Sequence, residues 1–185
     1  MDLRIIAGKY RGRKIQFPDG DDVRPTKDRI RESVFDIISE IVPGAKVLDL
    51  FSGSGAYGLE AISRGAESSV FVDNQAKCVD CAKSNALSLG IKDEADILNG
   101  DVLDIMPVLE KKGLRFDIVF ADPPYNKGLA KKTLIRIIDY DIFNRPVFFV
   151  MEHHREEKVD EIHHGFVLIK NKTYNETVIS IFSKK

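Results

Sequence analysis

The order of apolar and polar positions divides the chain into segments of two periods. Ile30, Val34, Ile37, Ile38 and Ile41 recur at helical spacing. Pro25 and Thr26 precede them, with Thr26 placed to cap, and Pro43–Gly44 closes the segment, which predicts a helix with one apolar face. Beyond it, short apolar runs alternate with longer amphipathic ones. Val47 to Phe51, Ser69 to Val72, Ala95 to Leu98, Phe116 to Ala121 and Pro146 to Met151 read as buried strands. Between them, Ala56 to Arg64, Gln75 to Leu89, Val102 to Glu110 and Leu129 to Tyr140 read as helices, the second stopped by Gly90. Such alternation predicts a parallel sheet with helices on both faces. The end of the chain breaks it: Phe166 to Lys170 and Thr177 to Phe182 are two strand patterns with no helix between them, which predicts an antiparallel finish. At the start, residues 3–7 and 12–17 predict a β-hairpin turning through Gly8 to Gly12, and Pro18 to Asp22 is a turn-rich loop.

Composition adds little to this picture, but the distribution of charge does. With 43% hydrophobic and 31% charged residues, 185 residues suffice for one domain with a real core. The net charge of −1 gives no global reason to expect a polyanionic partner. From Met1 to Arg31, however, nine basic side chains face five acidic ones, a local net charge of +4. That asymmetry predicts a basic face suited to phosphates. No apolar run is long enough for a signal peptide or a membrane span, so the expected location is the cytoplasm and the default state a monomer. Cys78 and Cys81 have a spacing that suits redox or metal chemistry, but they lie three apart in a predicted helix and read as packing residues. His153–His154 and His163–His164 read as exposed loop histidines, and no metal site is expected.

Three strand ends carry the candidate chemistry, because ligands of open α/β sheets bind beyond the carboxyl ends of the strands. The first runs from Asp49 through Phe51, Ser52, Gly53, Ser54 and Gly55 into a helix; Gly53 and Gly55 allow a tight turn and a close approach of backbone to ligand. Gly53 to Gly58 also fits the dinucleotide fingerprint, with Asp73 twenty positions on, which does not separate a nicotinamide enzyme from a methyltransferase. The second feature is the acids that end the next two strands. Asp73 can accept both hydroxyls of a ribose, and Asp101 the amino group of an adenine. The third is Asp122-Pro123-Pro124-Tyr125. The prolines stiffen the backbone and leave carbonyls free to accept, Asp122 adds a charged acceptor, and Tyr125 adds an aromatic plate. Together they suit a planar arylamine whose N–H groups are held while its nitrogen attacks a methyl donor. A dehydrogenase has no use for this tetrapeptide.

Four blocks in combination carry a family resemblance: Arg4 to Lys14, Arg24 to Phe35, Val47 to Gly55 and Asp122 to Tyr125. Together they resemble the bacterial guanine-N2 methyltransferases that modify small-subunit (16S) ribosomal RNA. The resemblance implies a Rossmann-like class I methyltransferase fold, an α/β domain with a mixed seven-stranded sheet, an antiparallel last strand and a small N-terminal β-hairpin. The hairpin and basic extension are placed over residues 1–24 and the methyltransferase domain over 25–185. S-adenosyl-L-methionine is the implied cofactor, lined by Asp49, Ser52, Gly53, Gly55, Asp73 and Asp101. The neighbouring Phe51, Ser54, Asn74, Val102 and Asp122 are assigned to the same site. Asp122 to Tyr125 would hold the target guanine as the catalytic group. Lys9, Arg11, Arg13, Lys14, Arg24, Lys27 and Arg31 would meet the RNA, naked or within a 30S particle.

Two other enzyme readings keep the chemistry and change the substrate, to adenine N6 in DNA or a glutamine amide in a protein. A DNA enzyme usually needs a larger recognition region, and a glutamine-directed one more often shows Asn in place of Asp122. A third reading is an RNA-binding module with a relict cofactor pocket. The intact glycine turn and the Asp-Pro-Pro-Tyr corner weigh against it.

Overall fold

The computed structural model describes residues 3–18, 28–125, 127–157, 159, 162–163 and 165–185. Five parallel strands form the centre of the sheet: β3 (Lys46–Leu50), β4 (Ser68–Asp73), β5 (Ala95–Asn99), β6 (Phe116–Ala121) and β7 (Phe143–His154). β10 (Thr177–Lys184) runs antiparallel between β7 and β9 (Phe166–Tyr174), and the two-residue β8 (Ile162–His163) pairs with the outer edge of β9. The spatial order is β5-β4-β3-β6-β7-β10-β9-β8. Seven substantial strands and an antiparallel finish therefore match the expectation from sequence, and β8 adds a short eighth.

Helices cover both faces because inward and outward side chains alternate along each strand. Leu48, Leu50, Val119, Ala121, Phe149 and Met151 face α4 (Met106–Lys111) and α5 (Leu129–Ile138). Val47, Ile118, Phe120, Val150 and Ile181 face α1 (Asp28–Ile37) and α2 (Ala56–Ser63). Ile37, expected on the apolar face of α1, is partly exposed there. No helix among the described residues is long and apolar enough to cross a membrane.

A separate two-stranded antiparallel hairpin, β1 (Leu3–Arg4) and β2 (Lys14–Ile15), packs Leu3, Ile5 and Ile15 against α2 and α3 (Ala76–Leu89). Its docking is polar as well as apolar. Glu60, fully buried on α2, accepts the backbone N–H groups of Ile6 and Ala7 at 2.7 and 3.0 Å. Arg64 donates to the same carboxylate at 2.7 Å, and Arg31 lies 3.8 Å from it. Gly8 allows the closest approach: a Cβ there would fall 1.8 Å from the Ser63 carbonyl oxygen.

The chain moves from β3 outward through β4 to β5, then returns to place β6 on the other side of β3. That reversal opens a crevice at the carboxyl ends of β3 and β6, the position where doubly wound sheets hold their ligands. The topology thus brings the end of the Asp49 segment and the Asp122 segment, more than 70 residues apart, to the same opening.

Candidate active site

A cavity of about 490 Å³ occupies this crevice. From the cofactor set it is lined by Asp49, Phe51, Ser52, Gly53, Ser54 and Asp73, with Asn74, Asp101 and Asp122 beside them. Pro123, Pro124 and Tyr125 line it too. Gly55 and Val102 do not: the Val102 side chain is packed into the core, and Gly55 sits under the turn, where a Cβ would meet the Phe71 ring at 3.3 Å.

The turn from Ser52 to Gly55 is closed by a Gly55 N–H to Ser52 carbonyl bond of 2.7 Å. Phe51, Gly53 and Gly55 all take left-handed backbone, at φ of 57°, 53° and 79°. For Phe51 that conformation is costly, and such strain persists where the surroundings over-determine it. Nothing lies within 4 Å of where a Gly53 Cβ would be, so the turn leaves open space for a ligand against its backbone. The Ser52 hydroxyl is buried with no hydrogen-bond partner among the described residues and belongs to the cavity lining. Gly58 serves packing instead, since a Cβ there would clash with Phe71 at 2.3 Å.

Asp73 accepts the Gly53 N–H at 2.9 Å on one oxygen and the Gln75 N–H at 2.9 Å on the other. The Cys78 side chain bonds the same carboxylate, whose remaining acceptor capacity is available to ligand hydroxyls. Asp101 is exposed at the rim and accepts the Leu103 N–H at 2.8 Å. Asn85 ties the hairpin to this wall: its amide donates to the carbonyls of Gln16 and Ser54, both at 2.9 Å.

Asp49 accepts the Gly58 N–H at 2.9 Å, tethering the first turn of α2. Burial pushes its carboxyl up to about 8, against the pull of that N–H, and the nearby Asp73 charge adds to the rise. The folded chain therefore holds a proton there that an unfolded chain releases near pH 4. Stability from this source is fully present below pH 4 and is lost as pH rises through 8. Asp49→Asn is expected to flatten the fall in stability across that window. Urea midpoints measured from pH 5 to 9 check it; identical slopes in both proteins would contradict it.

Tyr125 is pinned as well as presented. Its hydroxyl donates to Glu152 at 2.7 Å and lies 2.8 Å from the Thr177 hydroxyl, with its ring tilted against His154. Burial, then the Glu152 charge, holds the phenol proton well above its ordinary range, so Tyr125 is not a base. Glu152, 5% exposed, lines the cavity and also accepts from Tyr57, which stacks on Phe120 with centroids 4.9 Å apart. The sequence pattern does not single out Glu152, Thr177, Tyr57 or Phe17, all of them in the lining. The strand-end rule that finds Asp73 and Asp122 could have found Glu152, which directly follows the strand pattern ending at Met151, although β7 itself continues to His154.

The basic residues divide into three groups. Lys9, Arg11, Arg13 and Lys14 are exposed on the hairpin, and Arg13 donates to the Ser88 carbonyl at 2.6 Å. Arg24 and Lys27 lie outside the described residues, as does Thr26. Arg31 corrects the expectation of an RNA contact: its side chain is fully buried and donates to the Arg4 carbonyl and to Asp28, so no phosphate can reach it. The histidines need a second correction. His153 and His154 are buried on β7, and His153 bonds Ser180 at 2.9 Å. His163 falls in β8, and His164 lies outside the described residues. Cys78 is buried in α3 with its thiol pushed up by burial to about 11, and Cys81 contacts the Gln16 carbonyl.

Comparison with known proteins gives one consistent result. The family model Conserved hypothetical protein 95 matches residues 3–183. The chain is 34% identical to YlbH of Bacillus subtilis (strain 168), over 99% of this chain and 100% of the relative. It is 32% identical to ribosomal RNA small subunit methyltransferase D of Escherichia coli (strain K12), over 99% of this chain and 90% of the relative. The solved structure of the Escherichia coli methyltransferase yhhF superposes with a TM-score of 0.87 at 30% identity, covering 100% of this chain and 99% of that one.

Proposed function

The chain belongs to the Conserved hypothetical protein 95 family, which includes the ribosomal RNA small subunit methyltransferase D proteins, and from that membership we propose that it methylates the exocyclic N2 amine of a guanine in small-subunit ribosomal RNA with S-adenosyl-L-methionine as donor. One observation carries the reading: a single cavity joins the glycine turn to the Asp122-Pro-Pro-Tyr125 corner.

The lining suits the donor. Asp73 would accept from ribose hydroxyls and Asp101 from an adenine amino group, while the bare backbone of Gly53 and the Ser52 hydroxyl, without a partner among the described residues, line the same cavity. S-adenosylmethionine supplies an electrophilic methyl group on a sulfonium centre. The protein's own work is positioning. Asp122 and the stiff Pro123–Pro124 backbone accept the N–H groups of the amine and draw them out of the ring plane, which localises the nitrogen lone pair, otherwise delocalised into the ring, toward the methyl donor. The phenol of Tyr125, fixed by Glu152 and Thr177, sets the ring that stacks on the base. The nitrogen becomes acidic once alkylated, and its proton leaves to the Asp122 carboxylate. The base must leave its stack to enter. Leu3 and Phe17 line the cavity from the hairpin side, so residues 1–24 serve as the RNA-contacting extension beside the 25–185 domain. The protein acts as a cytoplasmic monomer in this reading.

Transfer of tritiated methyl groups to unmodified ribosomal RNA, DNA and protein in parallel tests it. Label in RNA alone, recovered as N2-methylguanosine, is expected; label in DNA or protein overturns it. RNA retention is also expected to fall steeply with salt, and replacing Arg11 and Lys14 by Ala lowers the log–log slope by about 2. Filter binding across a salt series measures it, and an unchanged slope would remove the hairpin from the interface.

A further inference from the structure

We propose that Glu152 reads the Watson–Crick edge of the target base and selects guanine, by accepting N1–H while Asp122 accepts from the N2 amine. The inference deepens the guanine reading above and rests on it.

Position comes first. Ala121, the last residue of β6, is paired with Met151 of β7, so Asp122 leaves β6 beside Glu152, the next residue of β7. Adjacent strands lie about 4.8 Å apart. Alternation within β7 sends Glu152 to the same side of the sheet as Val150, where it lies against Tyr57, which stacks on Phe120. Both carboxylates line the cavity.

Chemistry makes the pair selective. An ionised carboxylate only accepts hydrogen bonds. Guanine presents two adjacent donor groups, N1–H and the N2 amine. Adenine and cytosine place a ring acceptor next to their amine, and uracil has no amine. Two acceptors side by side therefore fit guanine and repel the ring nitrogen of the others. Glu152 is also held for the task. Tyr125 donates to Oε1 at 2.7 Å and the Tyr57 hydroxyl lies 3.4 Å from Oε2, so the carboxylate is oriented from two sides at the cavity wall. At 5% exposure water competes poorly there, so a mismatched base sets its ring-nitrogen lone pair against the carboxylate with no N–H to bridge them.

The test uses the full chain and RNA fragments carrying guanine, 2-aminopurine or N1-methylguanine at the mapped target position. 2-Aminopurine keeps the amine but has an acceptor at N1. Wild-type protein is expected to prefer guanine over 2-aminopurine in kcat/KM by roughly 10- to 100-fold, and to leave N1-methylguanine unmodified. Glu152→Gln supplies an N–H donor beside a carbonyl acceptor, the complement of 2-aminopurine, and is expected to invert the preference with unchanged S-adenosylmethionine affinity. A purely structural role would lower both rates together. If wild-type protein methylates guanine N2 but treats all three bases alike, or if the variant keeps the guanine preference, Glu152 is not the reader. The wild-type arm decides this even where the variant does not fold. If wild-type protein transfers no methyl group to guanine N2, the underlying reading fails and this inference falls with it.

Discussion

Asp122→Ala is expected to lose methyl transfer by roughly 10²- to 10⁴-fold, the span of a group that handles a proton in the transition state, while affinity for S-adenosylmethionine survives. Each tenfold is about 1.4 kcal/mol, so the loss corresponds to roughly 3–5 kcal/mol of barrier. The separation follows from the structure. The glycine turn and Asp73 are held by their own backbone bonds, Gly55 to Ser52, Gly53 to Asp73 and Gln75 to Asp73, none of which involves Asp122. Single-turnover transfer and equilibrium donor binding, measured on one preparation, check both halves. Equal loss of both would show that Asp122 serves the donor rather than the amine.

Glu60→Ala is expected to be the most destabilising exchange on the hairpin side. The carboxylate is fully buried and serves two backbone N–H groups, the Arg64 side chain and the neighbouring Arg31. Its removal leaves the fully buried Arg31 guanidinium with Asp28 alone among the described carboxylates, and takes the partner from Arg64. Breaking one side of a buried pair costs about 3–5 kcal/mol, a large share of the roughly 5–15 kcal/mol that holds a domain together. For a chain of this size the melting temperature should drop by roughly 6–20 °C. Glu60→Gln, which keeps the carbonyl acceptor and the shape, should lose less. A melting temperature unchanged in Glu60→Ala would show that the hairpin is held by Leu3, Ile5 and Ile15 alone.

What the sequence makes legible is whatever depends on local period and strand ends. Val47 to Phe51 and Phe116 to Ala121 announce buried strands, and the polar residues just beyond them, with Asp73 and Asp101, fall where the cavity is. Partners set by tertiary contact are not legible. Arg31 counts as a surface cation along the chain, and only the packing of α1 on α2 places it beside Glu60. The strand ending at Met151 looks complete because Glu152, His153 and His154 are polar. It continues because β10 pairs with it through Thr177, and that pairing buries two histidines that read as exposed. Val102 follows Asp101 directly, yet turns into the core with Met106 and Leu109. Neighbours of a strand-end acid therefore do not all share its role.

Calorimetric titration of S-adenosylmethionine and of NAD into the wild-type chain and into Asp73→Ala distinguishes a methyl-donor cavity from a nicotinamide one. One donor molecule per chain is predicted for the wild type, markedly weaker binding for the variant, and no heat from NAD with either protein. Undiminished donor binding to Asp73→Ala, or a stoichiometric complex with NAD, would contradict the account.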